Sequence, residues 1–182
     1  MSGQGPLPWP QLIAPKDFTL GLVGACWHRD VADRLLHEAQ AMAKECQVSA
    51  IHTERVPGVM ELPVIAQAMT RSCDAVVAVG VVLRGETPHF DYVCQAATSG
   101  LVRVALDAGI PVANGVSMCN TIEQARDRAG FVPQTQNKGR EAVAAALASA
   151  LSLSRMAHAG QPDHAHTSPQ ACAGDRAKEE SP

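Results

Sequence analysis

A chain of 182 residues with a formal net charge of −3 has room for one domain with a real core, and lacks the basic excess a general nucleic-acid binder needs. Hydrophobic residues make up 46%, which excludes disorder throughout, and no charge-free apolar run reaches membrane-spanning length. Residues 1–15 lack the basic start and apolar core of a signal peptide, and the six cysteines (Cys26, Cys46, Cys73, Cys94, Cys119 and Cys172) form no C-x-x-C pair. They read as buried free thiols in a reducing compartment, the cytoplasm.

Residues 1–16 hold four prolines and little periodicity, and read as an extended N-terminal arm. Residues 18–26 predict a first strand. Trp27, His28 and Arg29 form the turn after it, and Asp30 suits the cap of a helix whose Val31, Leu35, Ala39 and Met42 make an amphipathic stripe. Residues 48–56 predict a second strand, and its polar His52, Glu54 and Arg55 suggest an edge. Pro57-Gly58 ends it, and a helix opens at Val59 and runs to about Arg71. Residues 75–83 are apolar throughout and rich in valine, the pattern of a strand buried on both faces of a parallel sheet.

Next comes Arg84-Gly85-Glu86-Thr87-Pro88-His89-Phe90-Asp91-Tyr92, a charged turn where a buried strand feeds a helix. Thr87 suits the N-cap and Pro88 the first helical position. Phe90, Val93, Ala97, Leu101, Val104 and Ala108 share one face of that helix, and Gly109 ends it. Residues 111–118 predict a fourth strand. Asn120 and Glu123 have capping-box spacing for a helix ending at Gly130, with Asn120 as the cap. A loop over 131–137 leads to an alanine-rich last helix over 140–156. From Ala157 onward Gly, Pro, His, Ser, Gln and charges predict a disordered tail. Its His158, His164, His166 and Cys172 lack the rigid spacing of a metal site, so no metal is expected.

Strands alternating with helices imply a single flavodoxin-like three-layer α/β/α domain over 17–156 with a four-stranded parallel sheet. Ligands of such sheets bind beyond the carboxyl ends of the strands, where strand order reverses, here between strands one and three. Trp27, the 57–61 turn and the 84–89 turn fall at that edge, and Asn114 lies in strand four. Free backbone N–H groups at the helix start favour an anion, and Arg84 and His89 add side-chain donors.

Each residue also has a plainer reading. His89 is either a proton-transfer group, for which histidine is suited near neutrality, or a solvent-facing turn residue. Trp27 either stacks on a flat heterocycle or packs as an ordinary Trp. Glu61 either accepts hydrogen bonds from a polyol or ring N–H, or complements a helix dipole. Arg128 is either a phosphate clamp or a cation at a helix end, and Lys138 either a second contact to the same anion or a solvated lysine. Asn114 either reads a ligand edge or ties two strands. There is no Walker loop, no G-x-S-x-G elbow and no dinucleotide fingerprint.

Together these segments resemble the 6,7-dimethyl-8-ribityllumazine synthase family of riboflavin biosynthesis. The likeness runs through Val56-Pro57-Gly58-Val59-Met60-Glu61-Leu62-Pro63, the stretch from Gly80 to Val93 with its R-G-E-T-x-H-F-D core, and Pro111-Val112-Ala113-Asn114-Gly115-Val116. Asn120-Thr121-Ile122-Glu123-Gln124-Ala125, Arg128-Ala129-Gly130 and Asn137-Lys138-Gly139 complete it, over about residues 18–153. The resemblance implies condensation of a ribitylamino-pyrimidinedione with 3,4-dihydroxy-2-butanone 4-phosphate, without a cofactor. It gives Trp27 stacking on the pyrimidine, Val59, Met60 and Glu61 on the ribityl chain and ring, and backbone contacts from Val81, Val82 and Leu83. Glu86, Thr87, Arg128 and Lys138 would hold phosphate, and His89 would move protons. Asn114 would come from an adjacent subunit, and Arg84 becomes structural rather than an anion ligand.

The departures are specific. Many members have Phe at the positions of Trp27 and Asn114, and Met118-Cys119 replaces a common hydroxyl pair. The loop from Arg128 to Lys138 is longer than in members that build icosahedral shells, which implies a homopentamer. Functional coupling to riboflavin synthase would follow from the pathway. The rival readings are a lumazine- or flavin-binding carrier and a structural assembly without useful turnover, neither of which needs a phosphate clamp.

Overall fold

In the computed structural model, which describes residues 12–132 and 136–159, the run Ala-Val-Val-Ala-Val-Gly-Val-Val-Leu forms a strand, Ala75–Leu83, buried from Ala75 to Val81. Its two faces feed two separate cores. Ala75, Val77, Val79 and Val81 pack into one, and Val76 and Ala78 into the other. A strand with no solvent face needs helices on both sides, and the rest of the chain supplies them.

In chain order the elements are β1 (Thr19–Ala25), α1 (Arg29–Glu45), β2 (Ala50–Val56), a 3₁₀ turn (Val59–Glu61), α2 (Leu62–Met69) and β3 (Ala75–Leu83). Then come α3 (His89–Ala108), β4 (Val112–Cys119), α4 (Ile122–Asp127) and α5 (Lys138–Ala159). The sheet is parallel throughout, in the order β2-β1-β3-β4. This is the expected flavodoxin-like α/β arrangement, with β2 at an edge as its polar residues suggested. Residues from α1, α4 and α5 fill the first core, and residues from α2 and α3 the second.

Several local expectations shift. Asp30 does not cap α1. His28 holds the N-cap position in a left-handed conformation (φ 54°, ψ 55°), so Asp30 falls inside the first turn and pairs with Arg126 at 3.0 Å. Thr87 does not cap α3 either: Pro88 occupies that position and the helix starts at His89. β4 runs on to Cys119, paired with Leu83, so the cap of α4 moves from Asn120 to Thr121, whose Oγ1 accepts from the Gln124 N–H. The second helix opens as a 3₁₀ turn and stops at Met69. In α3, Val93, Ala97, Leu101 and Val104 are buried as expected, but Phe90 is only half-buried and Ala108 is exposed, because the last turn runs past the sheet.

α5 begins at Lys138 and reaches Ala159, so residues 157–159 continue the helix rather than start the tail. The rest of that tail, with His164, His166 and Cys172, and residues 1–11 of the arm lie outside the described residues. Among the described residues α5 is the one helix with the length and apolarity to cross a membrane. It buries Ala142, Val143, Ala144, Ala146 and Leu147 inside the domain. The cysteines differ from the expectation in part: Cys46, Cys73 and Cys119 are buried free thiols, Cys94 is half-buried and Cys26 is exposed at the end of β1. Burial pushes the Cys46, Cys73 and Cys119 thiols up, which keeps them protonated and inert.

A tight helix contact lies at the start of α5. A Cβ on Gly139 would sit 2.3 Å from the Leu35 carbonyl oxygen and 3.1 Å from the Ala39 nitrogen, both backbone atoms of α1. Backbone cannot rotate aside as a side chain can. Gly139→Ala should therefore force α5 off α1 and cost about 1–3 kcal/mol, read as a lowered thermal midpoint. An unchanged midpoint would show that α1 and α5 have slack at this crossing.

Candidate active site

The four strands end on one side of the domain, but not at one level. β1 pairs with β3 only as far as Gly24 opposite Val79, whereas β3 stays paired with β4 as far as Leu83 opposite Cys119. Gly80 to Leu83 thus project beyond the β1–β3 ladder and offer backbone on their β1 side. The strand order puts the expected ligand crevice at this edge.

Its floor is tightly packed. A Cβ on Gly80 would lie 2.9 Å from Val59 Cγ1 and 3.0 Å from Ala25 Cβ, so the 3₁₀ turn presses directly onto β3 and β1. Val59 and Val81 are buried, and Val82 and Leu83 are half-buried. The rim is open. Trp27 is 68% exposed and Met60 51% exposed, large apolar surface in a chain with only 3% aromatic residues. Trp27 lies against the next turn, its Cδ1 3.5 Å from where a Gly58 Cβ would be.

Glu61 sits at the end of the 3₁₀ turn. Its Oε2 accepts from the Gly58 N–H at 2.9 Å, which orients the carboxylate and leaves its other oxygen available. The contact seen is the capping one: Glu61 closes its own turn on the Gly58 N–H.

On the other side of β3, residues 84–89 form the exposed link into α3. Glu86, Thr87 and His89 are all exposed, and α3 is 20 residues long, so its first-turn N–H groups form a full helix N-terminus. Arg84 turns away from this opening. Its Nη2 and Nη1 bind the Asp91 carboxylate at 2.8 and 3.2 Å, its Nε donates to Asn120 Oδ1 at 3.2 Å, and its guanidinium lies 4.2 Å from the centre of the Phe90 ring. The hydrogen bond from Arg84 holds the Asp91 carboxyl below its usual range.

Arg128 and Lys138 form a second group. Arg128 closes α4, its Nη1 donating to the Gln124 carbonyl at 2.9 Å, and its own carbonyl accepts from the Lys138 N–H at 2.8 Å. A bridge between Ala129 and Asn137 seals the base of the loop, so the backbones of two residues ten positions apart in sequence, Arg128 and Lys138, are brought together. Lys138 Nζ pairs with Glu141 at 2.7 Å. Ala125 and Ala129 anchor this corner in the α1/α5 core, across the sheet from α2 and α3.

Asn114 is separate from both groups. It lies five residues before Cys119 on β4, roughly 16 Å back from the strand end at about 3.3 Å per residue. Its Oδ1 accepts from the Val116 N–H at 3.0 Å, and its Nδ2 points to Thr98 Oγ1 on α3 at 3.4 Å. Within one chain, then, Trp27, Val59, Met60, Glu61, Val81, Val82 and Leu83 gather at the crevice, with Glu86, Thr87 and His89 on the turn leaving its β3 wall. Arg128 with Lys138, and Asn114, stand elsewhere.

The sequence reading gave Gly58 only the end of a strand and Asn120 only a helix cap, and it gave no role to Thr98 or Asp91. Only Asp91 carried a signal, since it follows Arg84 at fixed spacing inside the R-G-E-T-x-H-F-D run. The others depend on contacts between segments that spacing does not reveal.

A family profile for 6,7-dimethyl-8-ribityllumazine synthase matches residues 17–154. A protein of that name from Mycolicibacterium gilvum (strain PYR-GCK) is 52% identical over 157 residues, covering 86% of this chain and 98% of its own. One from Thermobifida fusca (strain YX) is 48% identical over 164 residues, 90% of this chain and 95% of its own. One from Saccharopolyspora erythraea is 50% identical over 155 residues, covering 84% and 92% respectively.

Three largely exposed ion pairs contribute to the acid-side stability of the domain. Hydrogen bonds from Arg126, Arg140 and Arg84 hold Asp30, Glu45 and Asp91 below their ordinary values. A depressed carboxyl contributes stability that is present above its unfolded pKa of about 4 and lost as pH falls through the folded value. The thermal midpoint should thus stay level from about pH 7 to pH 5 and fall below about pH 4. The combined variant Asp30→Asn with Glu45→Gln should flatten that acid-side fall. A midpoint that drops between pH 7 and 5 would contradict the assignment.

Proposed function

The chain belongs to the 6,7-dimethyl-8-ribityllumazine synthase family, a transferase of riboflavin biosynthesis, and from that premise we propose how its residues divide the reaction. 5-Amino-6-(D-ribitylamino)uracil lies flat in the crevice against Trp27, its ring edge on the backbone of Val81, Val82 and Leu83. Val59 and Met60 line the ribityl chain and Glu61 accepts from its hydroxyls. The 4-phosphate of 3,4-dihydroxy-2-butanone 4-phosphate sits at the N-terminus of α3, on the backbone N–H groups of Glu86 and Thr87. Arg128 and Lys138 neutralise it.

The chemistry needs positioning more than activation. The 5-amino group attacks the butanone carbonyl and an imine forms with loss of water. Phosphate then leaves, and the ribitylamino nitrogen closes the second ring with further loss of water. Holding two small substrates in contact supplies much of the rate, and fixed N–H dipoles and cations stabilise the departing phosphate. His89, at the start of α3 beside the phosphate seat, carries the protons between the reacting atoms.

The observation that carries this reading is the crevice itself: an exposed Trp27, the 3₁₀ turn and the projecting end of β3 meet at one sheet edge, and that edge leads straight to His89. A carrier would have use for the crevice but none for the cations, and a structural assembly for neither, so the enzyme reading is the stronger. Because Asn114 and the Arg128–Lys138 pair stand apart from the crevice within one chain, they complete the site of a neighbouring copy. The long 128–138 connection favours a homopentamer over a shell. The enzyme acts in the cytoplasm and hands its product to riboflavin synthase.

Mixing both substrates with the protein and following lumazine formation tests the activity; no acceleration over the uncatalysed rate overturns it. His89→Ala should lower kcat by roughly 10²-fold with KM changed only a few-fold. Arg128→Ala should weaken the phosphate substrate by roughly 10-fold or more in calorimetry, and unchanged affinity would remove it from the phosphate site. Sedimentation should give a particle five times the 19.1 kDa chain. A shell-sized particle would refute the pentamer.

A further inference from the structure

Arg84 has the composition of an anion ligand and the position for one, one residue past β3 and five before His89. Its contacts direct it elsewhere. The guanidinium is spent on Asp91 through both Nη atoms and on Asn120 through Nε, and its face is covered by Phe90 at 4.2 Å. Its own N–H continues the sheet, donating to the Cys119 carbonyl at 2.9 Å. One residue thus joins the end of β3, the end of β4 and the first turn of α3. The two α3 side chains it grips, Phe90 and Asp91, are the two that follow His89.

The link between Arg84 and His89 has little else to hold it. Residues 85–88 are exposed, and a Cβ added at Gly85 would meet nothing within 4 Å. The N-cap of α3 is Pro88, without a side-chain cap bond; the turn closes through the Asp91 N–H on the Pro88 carbonyl at 3.0 Å. A helix start that lacks a cap frays, and a histidine on its first residue would move with it.

We propose that Arg84 is a positioning residue for the proton-transfer step: by clamping Phe90 and Asp91 to the end of the sheet it substitutes for the missing cap and fixes where the His89 imidazole stands. A fork is required, since two parallel bonds to one carboxylate set direction as well as distance, and a lysine at this place supplies charge without direction. The pair is solvent-exposed, with side-chain exposures of 45% and 61%, so its loss should disturb the local turn far more than the fold.

The inference rests on the assignment of His89 above, and the test separates the two. Arg84→Ala and Arg84→Lys are assayed beside the unaltered chain and in a His89→Ala background. Both single variants should lose roughly 10-fold or more in kcat, with KM for the phosphate substrate changed less than about 3-fold and the thermal midpoint within about 3 °C. In the His89→Ala background the added loss should be no more than about 2-fold, because the two residues act as one unit. A raised KM with kcat preserved, or losses that multiply, overturns the proposal and returns Arg84 to anion binding. A second arm needs no turnover: in the ligand-free protein the Asp91 amide should exchange hydrogen roughly 10-fold faster in both variants while β3 amides keep their protection. Equal exchange overturns the proposal, whereas an unaltered chain without activity overturns the assignment of His89 and leaves this arm standing.

Discussion

The difference in reach between β1 and β3 is the constraint on which the rest depends. A strand with no solvent face needs helices on both sides, and β3 is such a strand from Ala75 to Val81. Once it is walled in, its only contact with solutes is at its end. Because β1 stops pairing with β3 at Gly24 while β3 runs on to Leu83 beside β4, that end stands clear of a flush sheet edge. Burial therefore fixes the fold, and where burial ceases the strand end stands open as the candidate site.

The site's charges follow a division of labour that the layers impose. On the α2/α3 side, Trp27, Val59 and Met60 present apolar surface, and the helix start presents neutral dipoles. The formal cations, Arg128 and Lys138, belong to the α1/α5 side and are already partly committed to Gln124 and Glu141. An apolar stacking surface next to unshielded guanidinium groups would be costly to keep dry. The exposed apolar side chains and the formal cations thus stand on different layers of the domain.

Much of this was legible in the chain. The valine run, the polar second strand and the glycine after α3 each report a local cause, and the parallel order follows from alternation. The helix starts were less legible. Asp30, Thr87 and Asn120 have the side chains of caps, yet the caps fell elsewhere, because backbone geometry at His28, the fixed ring of Pro88 and the extra paired residue of β4 decided first. Candidate site residues were identified by type and by resemblance, but their grouping was not. That Arg128 adjoins Lys138, and that Asn114 stands well back along β4, depends on closure of a loop and on register, which no local pattern records.

The packing at Gly80 has a consequence for how this crevice can change. Three separate segments meet there without room for a methyl group, so the floor behaves as a fixed datum. Drift at that level would have to move a strand and a turn together. Trp27 and Met60 at the rim are largely exposed to solvent. Substitution at this edge of the domain would therefore be tolerated first at the rim, while the packing beneath it is held.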